Sequence, residues 1–446
     1  MHPGDFLERS LPMESKLLII LVFVAVYALV ATELMNKAVA ALLGVMVILI
    51  AGVTDVRTAA GYIDVETIML LMGMMAIVAV LRKSGFFAIL SVRIAKLTGG
   101  SPLRILVLFS IVTAAISAFL DNVTTVLIMV PMVIELTRGM GLNPRIYVIV
   151  QAMVSNLGGT ATLIGDPPNI IIGSKVGLTF NQFVLYLSLP VAISFAVVLL
   201  YCWITHRDQF RPIDTNLAKL FSVQLLVEKI EFDFLNIAID KVFLAKSLAC
   251  LGLAILLFVT QTITKITPGV VALSVAMILF VITRINVEEI LLEIEWSTLL
   301  FFSGLFVLVG VLESEGVIEW IARNIFLRAG GNPYVMVLVV LWMSGIVSGF
   351  IDNIPFTITM IPIVQLMLAT QPVPNNILWW ALSLGACFGG NLTLIGASAN
   401  IVSGGMARKY GYEISFREFF KTSAMATVLS LAVASAILVL YLRVLS

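Results

Sequence analysis

Apolar residues occur in long runs along the whole chain, and short polar segments separate these runs. Many runs reach the roughly 20 residues that a helix needs to cross the hydrocarbon of a bilayer. They predict crossings near residues 17–34, 36–53, 67–82, 146–173, 183–204, 246–263, 268–283, 298–313, 376–404 and 422–442. The pattern therefore predicts an all-α polytopic membrane protein.

Two motifs occur twice along the chain with the same separation. SAFLDNVTTVLIMVP ends at Pro131 and SGFIDNIPFTITMIP ends at Pro362, whereas TLIGDPPN ends at Asn169 and TLIGASAN ends at Asn400. Both pairs are 231 positions apart, and no gap is needed between the motifs. A fixed internal offset indicates a repeat. We therefore predict a first repeat over 1–204, a cytoplasmic linker over 205–245 and a second repeat over 246–446.

Each copy contains five predicted crossings, and an odd number inverts the second copy relative to the first. With both termini on the extracytoplasmic side, most of the 27 lysines and arginines fall in cytoplasmic loops, as the positive-inside rule expects. The basic segment 82–104 is then cytoplasmic, and its glutamate-bearing counterpart 313–333 lies outside. We expect a multi-pass protein of the cell membrane with inverted repeats.

A further element in each copy, over 103–138 and 334–369, has an Asp-Asn pair in its middle. In the first copy the uncharged arms 105–120 and 123–134 are too short to span the bilayer comfortably. We predict re-entrant helical hairpins with Asp121-Asn122 and Asp352-Asn353 near their tips. The alternative is two short full crossings with the Asp-Asn pair in a surface loop, which leaves the inversion unchanged.

The crossing over 146–173 contains Pro167-Pro168, and proline breaks a helix because it lacks the backbone N–H. Free backbone groups at membrane depth are tolerated only where protein or a water-filled cavity covers them. Broken helices at matching positions of two repeats are typical of transporter binding sites. We predict such breaks in 146–173 and 376–404, with Asp166 as a candidate functional carboxylate. The alternative is a kinked helix with a purely structural role.

Composition agrees with a membrane protein and limits the chemistry. Of the 446 residues, 60% are hydrophobic and 12% are charged, and the mean hydropathy is +1.09, whereas soluble domains carry roughly 25% charged residues. Cys202, Cys250 and Cys387 have neither metal-binding nor disulfide spacing, so no metal site is predicted. The net charge of +1 indicates no particular partner, and no nucleic-acid partner is predicted.

The duplicated motifs resemble a known family. SAFLDNVTTVLIMVP with SNLGGTATLIGDPPNIII, and FIDNIPFTITMIP with GGNLTLIGASAN, resemble the ion transporter superfamily, in particular its branch of arsenite permeases and melanosomal P proteins. The resemblance covers nearly the whole chain. It implies two hairpins of opposite orientation, two broken helices, elevator-type alternating access and a homodimer in the lipid bilayer.

In the related sodium-coupled dicarboxylate symporters, a Ser-Asn-Thr signature at each hairpin tip helps to bind sodium and substrate. Here the tips have Asp121-Asn122-Val123 and Asp352-Asn353-Ile354, which favours a titrating or cation-binding role and disfavours dicarboxylate transport. The break of the first copy has Asp166-Pro167-Pro168-Asn169, and that of the second has Ala397-Ser398-Ala399-Asn400. The two half-sites are therefore not equivalent.

These motifs define the residues that we expect to bind substrate and ions. They are Asp121, Asn122, Thr124, Asn156, Thr162, Gly165, Asp166, Asn169, Asp352, Asn353, Thr357, Asn391, Thr393, Gly396, Ser398 and Asn400.

Four of these asparagines, Asn122, Asn169, Asn353 and Asn400, are predicted to converge on one midplane cavity. We expect Asp121 and Asp352, with Asp166 as a lesser partner, to couple transport to a proton or sodium gradient. The alternative is that the two tip aspartates only cap the hairpin helices.

We predict a secondary active transporter, not an enzyme, that moves a small inorganic or anionic solute such as arsenite. A cation/proton antiporter and a passive anion channel are the alternatives. No arginine lies in the motifs to clamp a carboxylate or phosphate. An intramembrane aspartyl protease is disfavoured because 163–166 lacks the Gly-x-Gly-Asp spacing of such enzymes. No cofactor is expected apart from a coupling proton or sodium ion.

Overall fold

The computed structural model describes residues 13–32, 34–210, 240–321, 332–371, 373 and 376–445, and this part of the chain is helical without strands. The first copy contributes α1 (Met13–Thr32), α2 (Lys37–Ile50), α3 (Val56–Tyr62), α4 (Val65–Lys83), α5 (Phe86–Thr98), α6 (Pro102–Ser117), α7 (Asn122–Gly139), α8 (Arg145–Thr160), α9 (Pro167–Val176) and α10 (Phe180–Thr205). The second contributes α11 (Lys241–Val259), α12 (Gln261–Thr264), α13 (Pro268–Thr283), α14 (Val287–Leu291), α15 (Trp296–Ser314), α16 (Val317–Ile321), α17 (Pro333–Ser348), α18 (Asn353–Thr370), α19 (Ile377–Gly389), α20 (Ser398–Lys409) and α21 (Phe416–Leu445).

Seven of the described helices are long and apolar enough to cross a membrane, namely α4, α7, α10, α11, α15, α18 and α21. The predicted crossings 36–53 and 268–283 are shorter helices of 14 and 16 residues. The all-α polytopic class predicted from the sequence is confirmed. Residues 211–239 of the predicted linker lie outside the described residues.

The 231-residue offset of the motifs is also the offset of the helices. The pairs α4 and α15, α6 and α17, and α7 and α18 each begin 231 positions apart and have equal lengths of 19, 16 and 18 residues. Capping explains part of this agreement, since Asp121 and Asp352 are the N-caps of α7 and α18. The repeated sequence therefore forms repeated structure.

The helices pack mainly into two bodies. Helices α1–α4 and α11–α15 pack on one another and form what we call the frame body. Helices α6–α10 and α17–α21 form the motif body, which contains both copies of the duplicated motifs. The short helices α5 and α16 contact both bodies and connect them in sequence. Each copy of the repeat therefore contributes helices to both bodies.

Contacts between the two copies occur in exchanged pairs. In the frame body α2 packs on α15 while α4 packs on α13, and in the motif body α7 packs on α20 while α18 packs on α9. Such reciprocal contacts are those of an isologous, two-fold arrangement. They are compatible with the predicted inverted repeat, whose axis in the membrane plane stays a prediction.

The break between α8 and α9 is stabilised by an asparagine side chain. Helix α8 ends at Thr160, and α9 begins at Pro167. The side-chain amide of Asn169 donates hydrogen bonds to the carbonyl oxygens of Thr160, at 2.9 Å, and Thr162, at 2.8 Å. These carbonyls have no helical N–H partner at the break, and buried backbone acceptors require one. Asn169 therefore satisfies the backbone that the prolines leave open.

The second break is stabilised in the same way, although it contains no proline. The amide of Asn400 donates to the carbonyl oxygens of Gly390, at 2.8 Å, and Thr393, at 2.9 Å. Helix α19 ends at Gly389, and α20 begins at Ser398. The asparagine, rather than the proline pair, is thus the feature that the two breaks share.

Each hairpin tip packs directly on the break of its own copy. The Thr162 hydroxyl donates to the carbonyl of Ala118, and the Thr393 hydroxyl donates to that of Gly349 at 2.6 Å. Asn122 and Asn353 at the tips are only 6% and 4% exposed. The tips therefore lie beside the helix breaks inside the protein and not in a surface loop. Since α7 and α18, at 18 residues each, are long enough to cross a membrane, the re-entrant hairpins stay a prediction.

Glycine is needed where the tip and the break meet. A Cβ atom placed on Gly165 would lie 2.5 Å from the Gly159 carbonyl oxygen and 2.6 Å from that of Ser117. Gly396 is similarly close to carbonyl oxygens in the second copy, those of Gly390 and Gly349. Any side chain at these positions would push the tip away from the break.

The predicted inversion has a direct topological test. A cysteine in place of exposed Arg93 in α5 should react with an impermeant maleimide only from the cytoplasmic side. A cysteine in place of Glu319 in α16, the counterpart helix, should react only from outside. The three native cysteines are buried and give a low background. Labelling of both positions from the same side would rule out inverted repeats.

The role of the break asparagines predicts a loss of stability on substitution. Asn169→Ala or Asn400→Ala leaves two buried carbonyls without a donor, which should cost about 2–4 kcal/mol of unfolding free energy. The expected readout is a lower thermal unfolding midpoint in detergent. Asn181→Ala is the matched control, because its amide makes one exposed bond to the Val259 carbonyl. Equal midpoints for all three variants would contradict the assignment.

Candidate functional site

A cavity of about 450 Å³ lies between the frame body and the motif body. The frame body lines it with the N-terminal ends of α2 and α15 and with α4. The motif body lines it with both hairpin tips and both helix breaks. Its polar lining residues are Asn36, Lys37, Asp121, Asn122, Asn156, Asp166, Glu295, Ser297, Thr298, Asn353 and Ser398. The duplicated motifs thus meet at one cavity.

Besides the ends of α2 and α15, four helix N-termini of the motif body lie at this cavity. The first residues of α7, α9, α18 and α20 all belong to its lining. A helix N-terminus carries free N–H groups and a partial positive charge, so it attracts anions. The breaks and hairpins together place four such ends around one solute-sized volume.

The caps of these four helices differ. The Asp121 carboxylate accepts a hydrogen bond from the Thr124 N–H at 2.8 Å, and the Asp352 carboxylate accepts one from the Ile354 N–H at 3.3 Å. The N-cap positions of α9 and α20, Asp166 and Ala397, make no side-chain cap bond. Both tip aspartates are therefore helix caps, whereas Asp166 is not.

Asp166 is the most deeply buried carboxylate at the cavity. Its side chain is 1% exposed, and Oδ1 accepts a hydrogen bond from the Asn353 amide at 3.4 Å. Oδ2 makes no hydrogen bond of normal geometry within the described part of the chain, where the Cys387 thiol and the Asn122 side chain also interact with the carboxylate. A buried carboxylate oxygen without a donor is costly unless a proton or a cation satisfies it.

Asn156 presents a second unsatisfied oxygen at the same cavity. Its amide donates to the Oδ1 atoms of Asn391, at 2.8 Å, and Asn400, at 3.0 Å, which fixes the orientation of the side chain. Its own Oδ1 has no partner among the described residues. The carboxylate of Asp166 and the amide oxygen of Asn156 are both hard oxygen ligands.

Two charged residues of the cavity were not predicted from the sequence. Lys37, in the first turn of α2, forms an ion pair with Asp352 and donates to the Ser398 hydroxyl at 3.1 Å. Glu295, the N-cap of α15, interacts electrostatically with Asp121. A lysine at the start of a crossing was a visible signal, but its partner is 315 positions away.

The predicted site residues fall into three groups. Asp121, Asn122, Asn156, Asp166, Asn353 and Ser398 line the cavity. Asp352 lies at the edge of the cavity, where its carboxylate forms an ion pair with Lys37. The others support the backbone or the network behind it, namely Thr124, Thr162, Gly165, Asn169, Thr357, Asn391, Thr393, Gly396 and Asn400.

Of the four asparagines that were predicted to converge on the cavity, two line it and two do not. Asn122 and Asn353 line the cavity, whereas Asn169 and Asn400 donate to the carbonyls of the breaks. The physical reason is that each break leaves buried carbonyls, and an amide one turn into the following helix reaches them. Thr162 and Thr393 likewise donate to the tips and do not line the cavity.

Comparison with known proteins agrees with this architecture. The model of the citrate transporter family CitMHS matches residues 27–385. An uncharacterized transporter of Mycobacterium bovis is 40% identical over 421 residues, which cover 93% of this chain and 96% of the relative. The human P protein is 33% identical over 491 residues, which cover 92% of this chain and 58% of the P protein.

The solved structures add a likeness in fold. The YdaH transporter of Alcanivorax borkumensis, described as having an unusual topology, superposes with a TM-score of 0.50 at 12% sequence identity, covering 96% of this chain and 98% of that one. At this identity the likeness concerns the fold alone. Together with the family match and the P-protein relatives, it places the two repeated motifs in a known context: the chain belongs to the CitMHS citrate transporter family of the ion transporter superfamily and is a membrane transporter.

Proposed function

We propose that this protein is a secondary active transporter that binds a small inorganic or anionic solute in the cavity together with a proton or a sodium ion. The observation that carries the proposal is Asp166, whose buried Oδ2 atom makes no hydrogen bond of normal geometry among the described residues and which lines a cavity where four helix N-termini meet. The helix ends favour an anion, and the carboxylate favours a cation.

Joint binding follows from electrostatics. An anion at the four N-termini strengthens the attraction of a cation to Asp166, and the cation in turn stabilises the anion, because both lie in one poorly solvated volume. Each ligand then binds weakly alone. This mutual dependence supports coupled transport, since the gradient of one ligand is used only when the other is bound.

The two bodies suggest how the site is exposed to either side. The cavity lies at their boundary, and the short helices α5 and α16 contact both bodies. We propose that the motif body moves relative to the frame body and carries both ligands, as in an elevator. The exchanged helix contacts support two similar packings, one for each side.

A cation/proton antiporter is the second candidate. Three carboxylates line the cavity, those of Asp121, Asp166 and Glu295, against the single lysine Lys37. An acidic excess of this kind attracts cations, and such a carrier would exchange a cation for protons at Asp166 without an anionic solute. The two functions differ in whether uptake depends on an external anion.

The proposal predicts that Asp166→Asn uncouples transport. The amide has the size of the carboxylate but can neither take up a proton nor provide the charge that binds a cation. Wild-type protein in proteoliposomes should concentrate at least one anion of a panel containing citrate, phosphate and arsenite when a proton or sodium gradient is imposed. We expect Asp166→Asn to lower this uptake by about tenfold or more while solute exchange without a gradient continues.

The matched control is Asp55→Asn, because Asp55 caps α3 outside the cavity and asparagine caps a helix equally well. Its uptake should equal that of the wild type. Undiminished gradient-driven uptake by Asp166→Asn would contradict the proposal. Voltage-driven flux of the wild type without any coupling gradient would indicate a passive channel, and solute-independent cation exchange would favour the antiporter.

A further inference from the structure

An ion pair joins the two bodies at the edge of the cavity. Lys37 belongs to α2 of the frame body, and Asp352 caps α18 of the motif body. The Lys37 side chain is 29% exposed, whereas that of Asp352 is only 5% exposed. The hydroxyl of Ser398, at the start of α20, lies 3.1 Å from the Lys37 ammonium and 3.4 Å from the Asp352 carboxylate. The carboxylate is thus buried against a cation from the other body.

The pair exists in one half of the duplicated structure only. The position equivalent to Lys37 in the second copy is Pro268, which has no charge. The carboxylate equivalent to Asp352 is Asp121, for which the described residues provide no ion pair. The lysine is therefore not required to build a hairpin tip, because the first tip forms with the same cap and without one.

Separation of the two bodies would break the ion pair between Lys37 and Asp352. If the motif body moved away from α2, Asp352 would remain a buried carboxylate without its cation. Breaking a buried ion pair by removing one partner is strongly destabilising, because the remaining charge is uncompensated. Movement is therefore favoured only when another positive charge replaces Lys37 at Asp352.

We propose that Asp352 is a second binding site for a monovalent cation, sodium or a proton, and that the Lys37 ammonium is a tethered competitor that occupies this site in the unloaded carrier. This inference rests on the proposed function, since it assumes that the motif body moves. It concerns a different carboxylate from Asp166. Binding of the cation releases Lys37 and frees the motif body from the frame body, so that the loaded carrier moves more readily than the empty one.

The surroundings of Asp352 are consistent with this exchange. The charged and titratable groups facing it are Lys37 from α2, Asp166 from the start of α9 and the Tyr27 hydroxyl from α1. The Tyr27 hydroxyl is bonded to the Pro355 carbonyl at 2.6 Å and to Thr359. Lys37 therefore supplies the positive charge, while Asp166 adds negative charge that favours an incoming cation. The released ammonium remains near Glu295, with which it interacts electrostatically.

The competition predicts that removing the lysine charge strengthens cation binding. Radioactive sodium binding to the purified protein at fixed pH should show an affinity at least about tenfold higher in Lys37→Gln than in the wild type, because no tethered cation must be displaced. If the ligand is a proton, a pH titration in sodium-free choline buffer should show a carboxylic acid infrared band in Lys37→Gln at a pH at least about one unit higher. The gain must disappear in the double variant Lys37→Gln/Asp352→Asn.

Two controls separate this result from other effects. Lys83→Gln removes a lysine whose ammonium lies 2.7 Å from Glu289 outside the cavity, and it should bind sodium and protons as the wild type does. Lys37→Arg keeps the positive charge and should therefore show no gain in affinity, which separates loss of the charge from substitution at this position. Unchanged affinity for both sodium and protons in Lys37→Gln would overturn the proposal, as would a gain that persists without Asp352.

The binding and transport measurements distinguish failure of this proposal from failure of the proposed function. The gain from Lys37→Gln should persist in the double variant Lys37→Gln/Asp166→Asn, because it arises at Asp352. Loss of the gain in this variant would assign the cation to Asp166 alone and overturn the second site. Conversely, if Asp166→Asn transports normally but the gain at Asp352 remains, the coupling assignment fails and the competition stands.

Discussion

The structure depends on one constraint, which is that every backbone polar group inside the membrane must find its partner within the protein. Two helices are interrupted here, and each interruption leaves carbonyls without helical donors. The amides of Asn169 and Asn400 satisfy these carbonyls, and Thr162 and Thr393 then tie each hairpin tip to its break. Once the breaks are satisfied internally, the helix ends beside them are available to a solute.

The same constraint decides which predictions from the sequence succeed. The all-α class follows from the apolar runs, and the duplicated helix boundaries follow from the repeated motifs with their prolines and caps. Individual side-chain directions do not follow. Asn169 and Asn122 are both asparagines in polar motifs inside apolar sequence, yet Asn169 turns to the backbone and Asn122 lines the cavity. That choice depends on which carbonyls the neighbouring segment leaves open, and this is a property of the packed structure.

Lys37 and Glu295 illustrate a second limit of sequence reasoning. Neither belongs to a motif, and each enters the cavity because a helix of the frame body begins there. Lys37 forms an ion pair with Asp352 of the motif body, and Glu295 faces the like-charged Asp121 of the same body. A contact between two bodies that are folded from distant parts of the chain leaves no local pattern. Only the burial of a charge near a predicted site draws attention to it.

Because the sequence is duplicated, each residue can be compared with its counterpart in the other copy. This comparison distinguishes residues that stabilise the backbone from residues that can bind a ligand. Residues that are identical in both copies, such as Asn169 and Asn400 or Thr162 and Thr393, bind the backbone in the same way twice. The identical residues therefore maintain a framework that two-fold packing requires.

The positions that differ between the copies include Lys37 and the residues with the two unsatisfied oxygens, whereas the tip aspartates Asp121 and Asp352 are identical in both copies. Lys37 corresponds to Pro268, Asp166 to Ala397 and Asn156 to Cys387. If the copies were identical, a two-fold arrangement would give the two packings of the bodies equal free energy, and no ligand would favour one of them. A ligand shifts such an equilibrium only through different affinities for the two states. The divergence of these three positions supplies that difference, and it lies at the cavity, where a solute can use it.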